Sequence, residues 1–93
     1  MNNKELNRVR KKLDKLDIRL INLIKSRTSL IKEVIKIKKY KNQIVDKKRI
    51  KTVLNNIKKL SIRKNIDPLL TKKIWSSMIN SYIDYERRNF KKK

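Results

Sequence analysis

A cation interrupts an apolar helical repeat in the first part of the chain. The repeat advances by three and four residues, the spacing of side chains that share one buried stripe of an α-helix. Its members are Leu6, Val9, Leu13, Leu16, Leu20, Leu23, Arg27, Leu30, Val34 and Ile37. A guanidinium keeps its proton, so burying Arg27 costs on the order of 5 kcal/mol unless an anion pairs with it. The position indicates either a bound anionic ligand or, as the alternative, an arginine that extends from the stripe to a helix carboxylate.

Two more cations on the same predicted helix are candidates for binding such an anion. Lys38 follows Arg27 by 11 residues, which places the two within roughly 20° around the helix and about 16 Å apart. Two long cationic side chains can narrow that gap around a small dianion. Arg10 lies roughly 25 Å before Arg27 and about 100° around the helix, so it suits a partner's pocket in an antiparallel dimer. Taken singly, Lys38 and Arg10 are also consistent with solvent-exposed cations.

The later part of the chain adds polar candidates. Tyr82 and Glu86 are four residues apart and share one face of a predicted helix. Asp46 precedes another predicted helix, and Arg49 lies in its first turn. The simpler interpretations are a core position for Tyr82, a solvated partner of a nearby cation for Glu86 and a solvent-facing position for Arg49.

The composition excludes several kinds of chemistry. Cysteine, histidine, glycine and alanine are absent from the 93 residues. No disulfide can form, and the usual thiolate and imidazole metal ligands are missing. Catalysis by Ser–His–Asp or Cys–His groups is excluded, and there is no glycine-rich phosphate loop. We therefore expect neither a metal nor a cofactor.

The formal net charge of +21 raises the question of a nucleic-acid-binding protein. Lysine, isoleucine and asparagine make up 45 of the 93 residues, a bias typical of drift in an AT-rich genome. No known nucleic-acid motif accompanies the charge, and the aromatic residues lie mostly in the last third of the chain. We favour drift, and a basic helical nucleic-acid-binding protein remains the alternative of another class.

Periodicity and capping signals predict an all-α chain of three helices in one domain, residues 1–93. The first helix covers about residues 4–39, the second about 46–62 and the third about 67–90. Residues 40–45 break the periodicity, and Asp46 is a suitable N-cap for the second helix. Asp67 followed by Pro68 is a strong helix start, since proline is favoured at the first helical position.

The predicted first helix is too long for its own domain. It measures roughly 54 Å, whereas a globule of this size has a radius of gyration near 13 Å. A partner chain must cover part of the apolar stripe, so we expect the protein to form an oligomer. No apolar run approaches the roughly 20 residues that cross a bilayer, and the N-terminus lacks a signal core. We expect a soluble cytoplasmic protein.

The spacing of the charged residues in the first helix resembles a known family. Arg10, Asp17, Arg27 and Lys38 interrupt the apolar stripe as they do in the all-helical, type II chorismate mutases. The segment Ile44-Val45-Asp46-Lys47-Lys48-Arg49 resembles that family's entry into its second helix. The resemblance continues through Asp67, Trp75 and Ile79 to Glu86. It implies intertwined dimers with two equivalent active sites.

The resemblance also implies roles for the catalytic candidates. Arg27 would bind one substrate carboxylate, and Lys38 would bond to the ether oxygen of the breaking C–O bond. Glu86 would lie on the other side of that oxygen, where it must carry a proton to donate a hydrogen bond. The reaction, chorismate to prephenate in aromatic amino-acid biosynthesis, needs a compact conformer and stabilisation of charge on the ether oxygen. Whether the product supplies phenylalanine or tyrosine stays open.

Substrate-binding roles follow for five further positions. Arg10 would reach the partner's site and hold the second carboxylate, Asp46 would contact the ring hydroxyl, and Arg49 would line the pocket. Tyr82 stands where the family often has a small hydroxyl residue, and Ile50 stands where it usually has glutamate. Both departures resemble the related isochorismate-pyruvate lyases, which form salicylate and are the runner-up. A mutase-like dimer that binds its ligand without turnover is also consistent with Ile50.

Overall fold

Three α-helices form the chain, as the sequence predicts. A computed structural model describes residues 3–91 and places α1 at Asn3–Ile37, α2 at Lys47–Arg63 and α3 at Pro68–Asn89. A 3₁₀ turn, Lys41–Gln43, lies between α1 and α2. No strand is present between residues 3 and 91. The all-α prediction with three helices is confirmed, and the homodimer remains a prediction.

The first helix ends two residues before the predicted boundary, at Ile37. The side chain of Gln43 accounts for this difference. Its Oε1 atom accepts hydrogen bonds from Lys39 N at 2.7 Å and from Tyr40 N at 2.9 Å. These two donors would otherwise bond to helix carbonyls, so the amide oxygen replaces the next helical turn.

Both predicted N-caps are confirmed. Asp46 Oδ1 accepts from Arg49 N at 2.9 Å, which satisfies one of the free donors at the start of α2. Asp67 Oδ1 accepts from Leu69 N at 2.9 Å, and Pro68 occupies the first turn of α3. Helices α2 and α3 therefore begin one residue later than predicted, because each capping aspartate lies outside its helix.

Asn65 lies just after the end of α2, at the position where glycine is most common, in a chain that has no glycine. Asn65 has a φ of 57°, a left-handed conformation that asparagine tolerates better than most residues. Asn65 N donates to Ile62 O at 3.2 Å, and Ile66 N donates to Ser61 O at 2.9 Å. This pair of bonds is a Schellman motif, which closes the carbonyl end of α2 and turns the chain towards α3.

The chain divides into two compact units, the first ending at Glu33 and the second beginning at Val34. In the second unit α2 packs against α3. The contact includes small polar side chains: Ser61 Oγ lies 2.7 Å from Thr71 Oγ1, and both residues are buried. Ile44 and Phe90 are the buried apolar residues within the described range. That both units form one domain remains a prediction.

The first unit consists of the greater part of α1. Its apolar stripe is largely exposed, with Leu13 52% and Leu23 66% accessible to solvent. Exposed apolar area costs free energy at roughly 25 cal/mol per Å². A covering surface for the stripe is therefore physically favourable. None of the helices described between residues 3 and 91 has the length and apolar character to span a membrane.

Candidate active site

A partly buried ion pair joins Lys38, the residue after α1, to Glu86 of α3. Lys38 Nζ donates to Glu86 Oε1 at 3.0 Å, and the two side chains are 19% and 8% exposed. Lys38 Nζ also donates to the main-chain oxygen of Ile44 at 3.3 Å. An ammonium group has three donors, so two of them are used in these contacts. The third is available to an oxygen acceptor from outside the chain.

The elements around this pair explain its position. Lys38 N still bonds to Val34 O at 3.0 Å, which holds Lys38 in the last helical turn of α1. The 3₁₀ turn that follows brings the carbonyl group of Ile44 to the ammonium. Glu86 lies one helical turn before Phe90, and both are buried. The apolar surroundings strengthen the attraction between ammonium and carboxylate, and the pairing offsets the cost of burying each charge.

Two of the simpler sequence interpretations are wrong. Glu86 is not a solvated i,i+4 partner, because it is only 6% exposed and pairs with a residue 48 positions away. Lys38 is not an ordinary surface lysine, because it is partly buried and held by two acceptors. The exposed i,i+4 pair on α3 is instead Arg88 with Asp84, at 2.9 Å. Lys38 and Glu86, which the resemblance assigns to one site, are thus in direct contact, and their catalytic roles remain a prediction.

The candidate residues at the start of α2 form hydrogen bonds with one another. Asp46 and Arg49 are both exposed, and the Asp46 carboxylate bonds to the main chain of Arg49. Ile50 is partly buried, and its main-chain N–H donates to Asp46 O at 3.0 Å. One carboxylate oxygen of Asp46 is thus used in capping, which leaves the other for a ligand. Contact between these residues and a substrate remains a prediction.

Tyr82 is partly buried and lies one turn before Glu86 on α3. Its ring meets the ring of Tyr85 edge to face, with centroids 6.3 Å apart and planes at 85°. Such a geometry is favourable for aromatic pairs and restricts rotation of the Tyr82 ring. A bulky, oriented ring would narrow the space beside Glu86.

The two candidate arginines belong to the first unit. Arg10 is exposed on α1, and Arg27 is partly buried there. The partial burial of Arg27 is consistent with its position in the apolar stripe. That either arginine joins the Lys38–Glu86 pair in one pocket remains a prediction.

One contact was missed by sequence reasoning. The carbonyl group of Ile44 is the second acceptor for Lys38, and Ile44 is 3% exposed. Every residue has a carbonyl group, so residue type could not reveal this one. The available signal was an apolar pair, Ile44 and Val45, between polar neighbours in a segment that lacks helical periodicity. Such a pair predicts a buried anchor, which fixes the main chain around it.

The chemistry of the pair is electrostatic. A fixed ammonium with one open donor can stabilise negative charge on an oxygen atom, and a carboxyl group lies beside it. Between residues 3 and 91, no three acidic side chains lie close enough together to hold a metal ion. The arrangement fits a reaction that requires charge stabilisation rather than a nucleophile from the protein.

Comparison with protein families gives one match. A family model described as chorismate mutase type II matches residues 9–87, which is most of the chain. The matched range contains Lys38 and Glu86 and every other candidate site residue. No curated protein and no solved structure matches the chain.

Proposed function

The chain belongs to the chorismate mutase type II family, and we propose that it rearranges chorismate to prephenate at a site centred on Lys38 and Glu86. Family membership supports the mutase activity and makes the chain an isomerase. The observation that carries the location of the site is the partly buried ammonium of Lys38, which has two acceptors and one open donor.

Lys38 is the proposed principal catalytic group. In the rearrangement the C–O bond of the ether breaks as a C–C bond forms within the same molecule, and negative charge develops on the ether oxygen. The open donor of Lys38 bonds to that oxygen and strengthens its bond as the charge grows. Because Glu86 and Ile44 already hold the ammonium, little reorganisation is needed when the reaction occurs. The rearrangement requires no covalent bond between the protein and the substrate and no proton transfer by an acid or a base.

Glu86 has two proposed functions. When ionised, it holds Lys38, because a charge-assisted hydrogen bond is stronger than a neutral one. When it carries a proton, it donates a second hydrogen bond to the ether oxygen. The 3.0 Å contact with Lys38 supports the first function.

The proposed enzyme is a homodimer in which Arg27 binds one carboxylate of the substrate and Arg10 of a second copy binds the other. Arginine suits this function because its planar fork binds a carboxylate through two hydrogen bonds. The exposed apolar stripe of α1 supports the dimer, since a second copy would cover it. Holding both carboxylates restricts the substrate to the compact conformer that reacts.

Asp46, Arg49, Ile50 and Tyr82 complete the proposed pocket. Asp46 would contact the ring hydroxyl with its free carboxylate oxygen, and Arg49 would line the entrance. Ile50 and Tyr82 supply apolar walls around the ring. We place the reaction in aromatic amino-acid biosynthesis and the protein in the cytoplasm.

The testing experiment is to incubate the purified protein with chorismate, follow the loss of its absorbance and identify the product by chromatography. We expect prephenate at a rate well above the spontaneous reaction. Lys38→Ala should lower kcat by at least about 100-fold, the usual effect of removing one charge-stabilising donor. Lys39→Ala is the matched control, because the neighbouring lysine is exposed and should leave kcat unchanged. Equal activity of the two variants would remove Lys38 from the mechanism.

Isochorismate-pyruvate lyase is the second candidate function. The observation in its favour is Ile50, a partly buried apolar residue where the family usually has a glutamate. Incubation with isochorismate tests it directly. Salicylate formation together with inert chorismate would replace the mutase proposal, whereas prephenate formation alone would exclude the lyase.

A further inference from the structure

One face of the first unit consists of cations. Six positions of α1 lie within an arc of about 100° around the helix, and every residue of 4–19 inside this arc is lysine or arginine. We call these residues the basic stripe: Lys4, Arg8, Lys11, Lys12, Lys15 and Arg19. All six are exposed. The stripe extends for roughly 22 Å along the helix.

Two of the three carboxylates of this segment lie well away from the stripe. Glu5, Asp14 and Asp17 are all exposed. Asp14 and Asp17 lie at least about 60° beyond the arc, whereas Glu5 borders it. Compositional drift would place lysines on every solvated face and has no reason to separate the two signs of charge. This separation is therefore a local feature that the net charge of the chain does not explain.

Five of the six stripe cations have no carboxylate partner within the described residues. Arg8, Lys11, Lys12, Lys15 and Arg19 form no salt bridge with a carboxylate of residues 3–91. A shallow depression of about 500 Å³ runs along the stripe, and Lys4, Arg8, Lys11, Lys12 and Lys15 line it together with Asn7. Several like charges in a row repel one another, so a polyanion in the depression would be bound favourably.

We propose that the basic stripe binds the phosphate backbone of double-stranded DNA. A duplex carries about one negative charge per 1.7 Å of its axis, so a 22 Å contact offers more phosphates than the stripe has cations. Helix α1 contains no aromatic residue for stacking on bases. The proposed binding therefore has no contribution from base stacking, and none of the stripe residues belongs to the proposed enzymatic site.

A membrane surface is a poorer partner for the same stripe. A helix that lies on an anionic membrane buries apolar side chains beneath its cations. Here the apolar residues Val9, Leu13, Leu16 and Leu20 centre roughly 120° away from the stripe. A flat membrane cannot contact the apolar face and the basic stripe of the helix at the same time, whereas the phosphates of DNA contact the cations alone.

The test compares two variants of equal net charge. The stripe variant carries Arg8→Gln, Lys11→Gln, Lys12→Gln and Lys15→Gln. The control variant carries Lys51→Gln, Lys59→Gln, Lys64→Gln and Lys73→Gln, which are exposed positions on α2, α3 and their connection. Neither set includes a residue of the proposed active site. Circular dichroism and mutase activity establish that both variants are folded.

The measurement is fluorescence anisotropy with a labelled 20-base-pair DNA duplex over a range of salt concentrations. We expect the native chain and the control variant to bind with a dissociation constant of about 1–100 μM near 0.15 M salt. The stripe variant should bind at least tenfold more weakly. Its slope of log affinity against log salt should be lower by roughly 3.6, since each lost phosphate contact removes about 0.9.

Two results would overturn the proposal. If both variants lose affinity equally, the binding reflects net charge and the stripe has no special function. If the native chain binds vesicles of phosphatidylserine and phosphatidylcholine (1:3) more tightly than the duplex at equal phosphate concentration, the partner is a membrane. Neither result affects the mutase proposal, because turnover of chorismate is measured separately.

Discussion

The two functions proposed for the Glu86 side chain can be separated by substitution. Glu86→Gln keeps an oxygen that accepts from Lys38 and adds an amide group that donates at any pH. Glu86→Ala removes both groups and leaves Lys38 with the carbonyl of Ile44 alone. We expect kcat for chorismate to stay within about tenfold of the native value in the glutamine variant and to fall at least about 100-fold in the alanine variant.

The matched control for Glu86 lies on the same helix. Asp84→Ala removes an exposed carboxylate whose partner is the exposed Arg88, so it should leave kcat unchanged. Thermal unfolding of each variant separates loss of catalysis from loss of structure. A folded Glu86→Ala protein with native kcat would show that Lys38 needs no carboxylate to hold it.

At the scale of elements, the N-cap of α3 contributes to the stability of the helix that carries Glu86. Asp67 caps this helix through Leu69 N, and replacing a capping aspartate by alanine usually costs about 1 kcal/mol. We expect Asp67→Ala to lower the free energy of unfolding by about that amount, measured by urea denaturation. Asp67→Ser should recover most of the loss, because serine also caps helices. An unchanged midpoint in Asp67→Ala would mean that the cap does not stabilise α3.

Local signals were sufficient to predict the helices and, to within one residue, their starts. Asp46 and Asp67 act on donors two or three residues away, so the sequence around them contains the whole interaction. The end of α1 was misplaced because the side chain of Gln43 competes with helix carbonyls, and propensity does not describe that competition.

The contact between Lys38 and Glu86 is a feature that local sequence signals could not predict. Its members are 48 residues apart, and composition and periodicity alone could not pair them. The resemblance to a family placed both residues at one site. Their direct ion pair, and the carbonyl of Ile44 beside it, depend on how the 3₁₀ turn and α3 pack, which only the structure describes.

At the scale of the whole molecule, the proposed sharing of sites between two copies has a direct test. Arg10→Ala and Arg27→Ala proteins should each be nearly inactive, since each lacks one arginine of every site. In a mixed dimer one of the two sites has both arginines intact. Mixing the variants under conditions of subunit exchange should therefore restore up to about a quarter of native activity, assayed with chorismate. This estimate assumes random exchange and carboxylate binding by both arginines.

Subunit exchange must be demonstrated independently of activity. Two populations with different fluorescent labels show energy transfer once mixed dimers form, and size-exclusion chromatography reports the dimer itself. Restored activity together with energy transfer would support the shared site. Energy transfer without any restored activity would place both arginines in the site of one copy or remove one of them from it.

The charge of the whole chain makes its stability sensitive to salt. The net charge is +21, with 29 Lys and Arg residues against 8 Asp and Glu residues. Like charges on a compact protein repel one another, and added salt screens them over a Debye length of about 10 Å at 0.1 M. We therefore expect the melting temperature to rise as sodium chloride increases from 0.01 to about 0.5 M, measured by circular dichroism.

The stripe variant, which lacks four of the clustered cations, should be more stable at low salt and should show a smaller rise, because less repulsion remains to be screened. A melting temperature that falls with added salt would mean that attractive charge pairs, rather than repulsion, dominate the electrostatic free energy of folding.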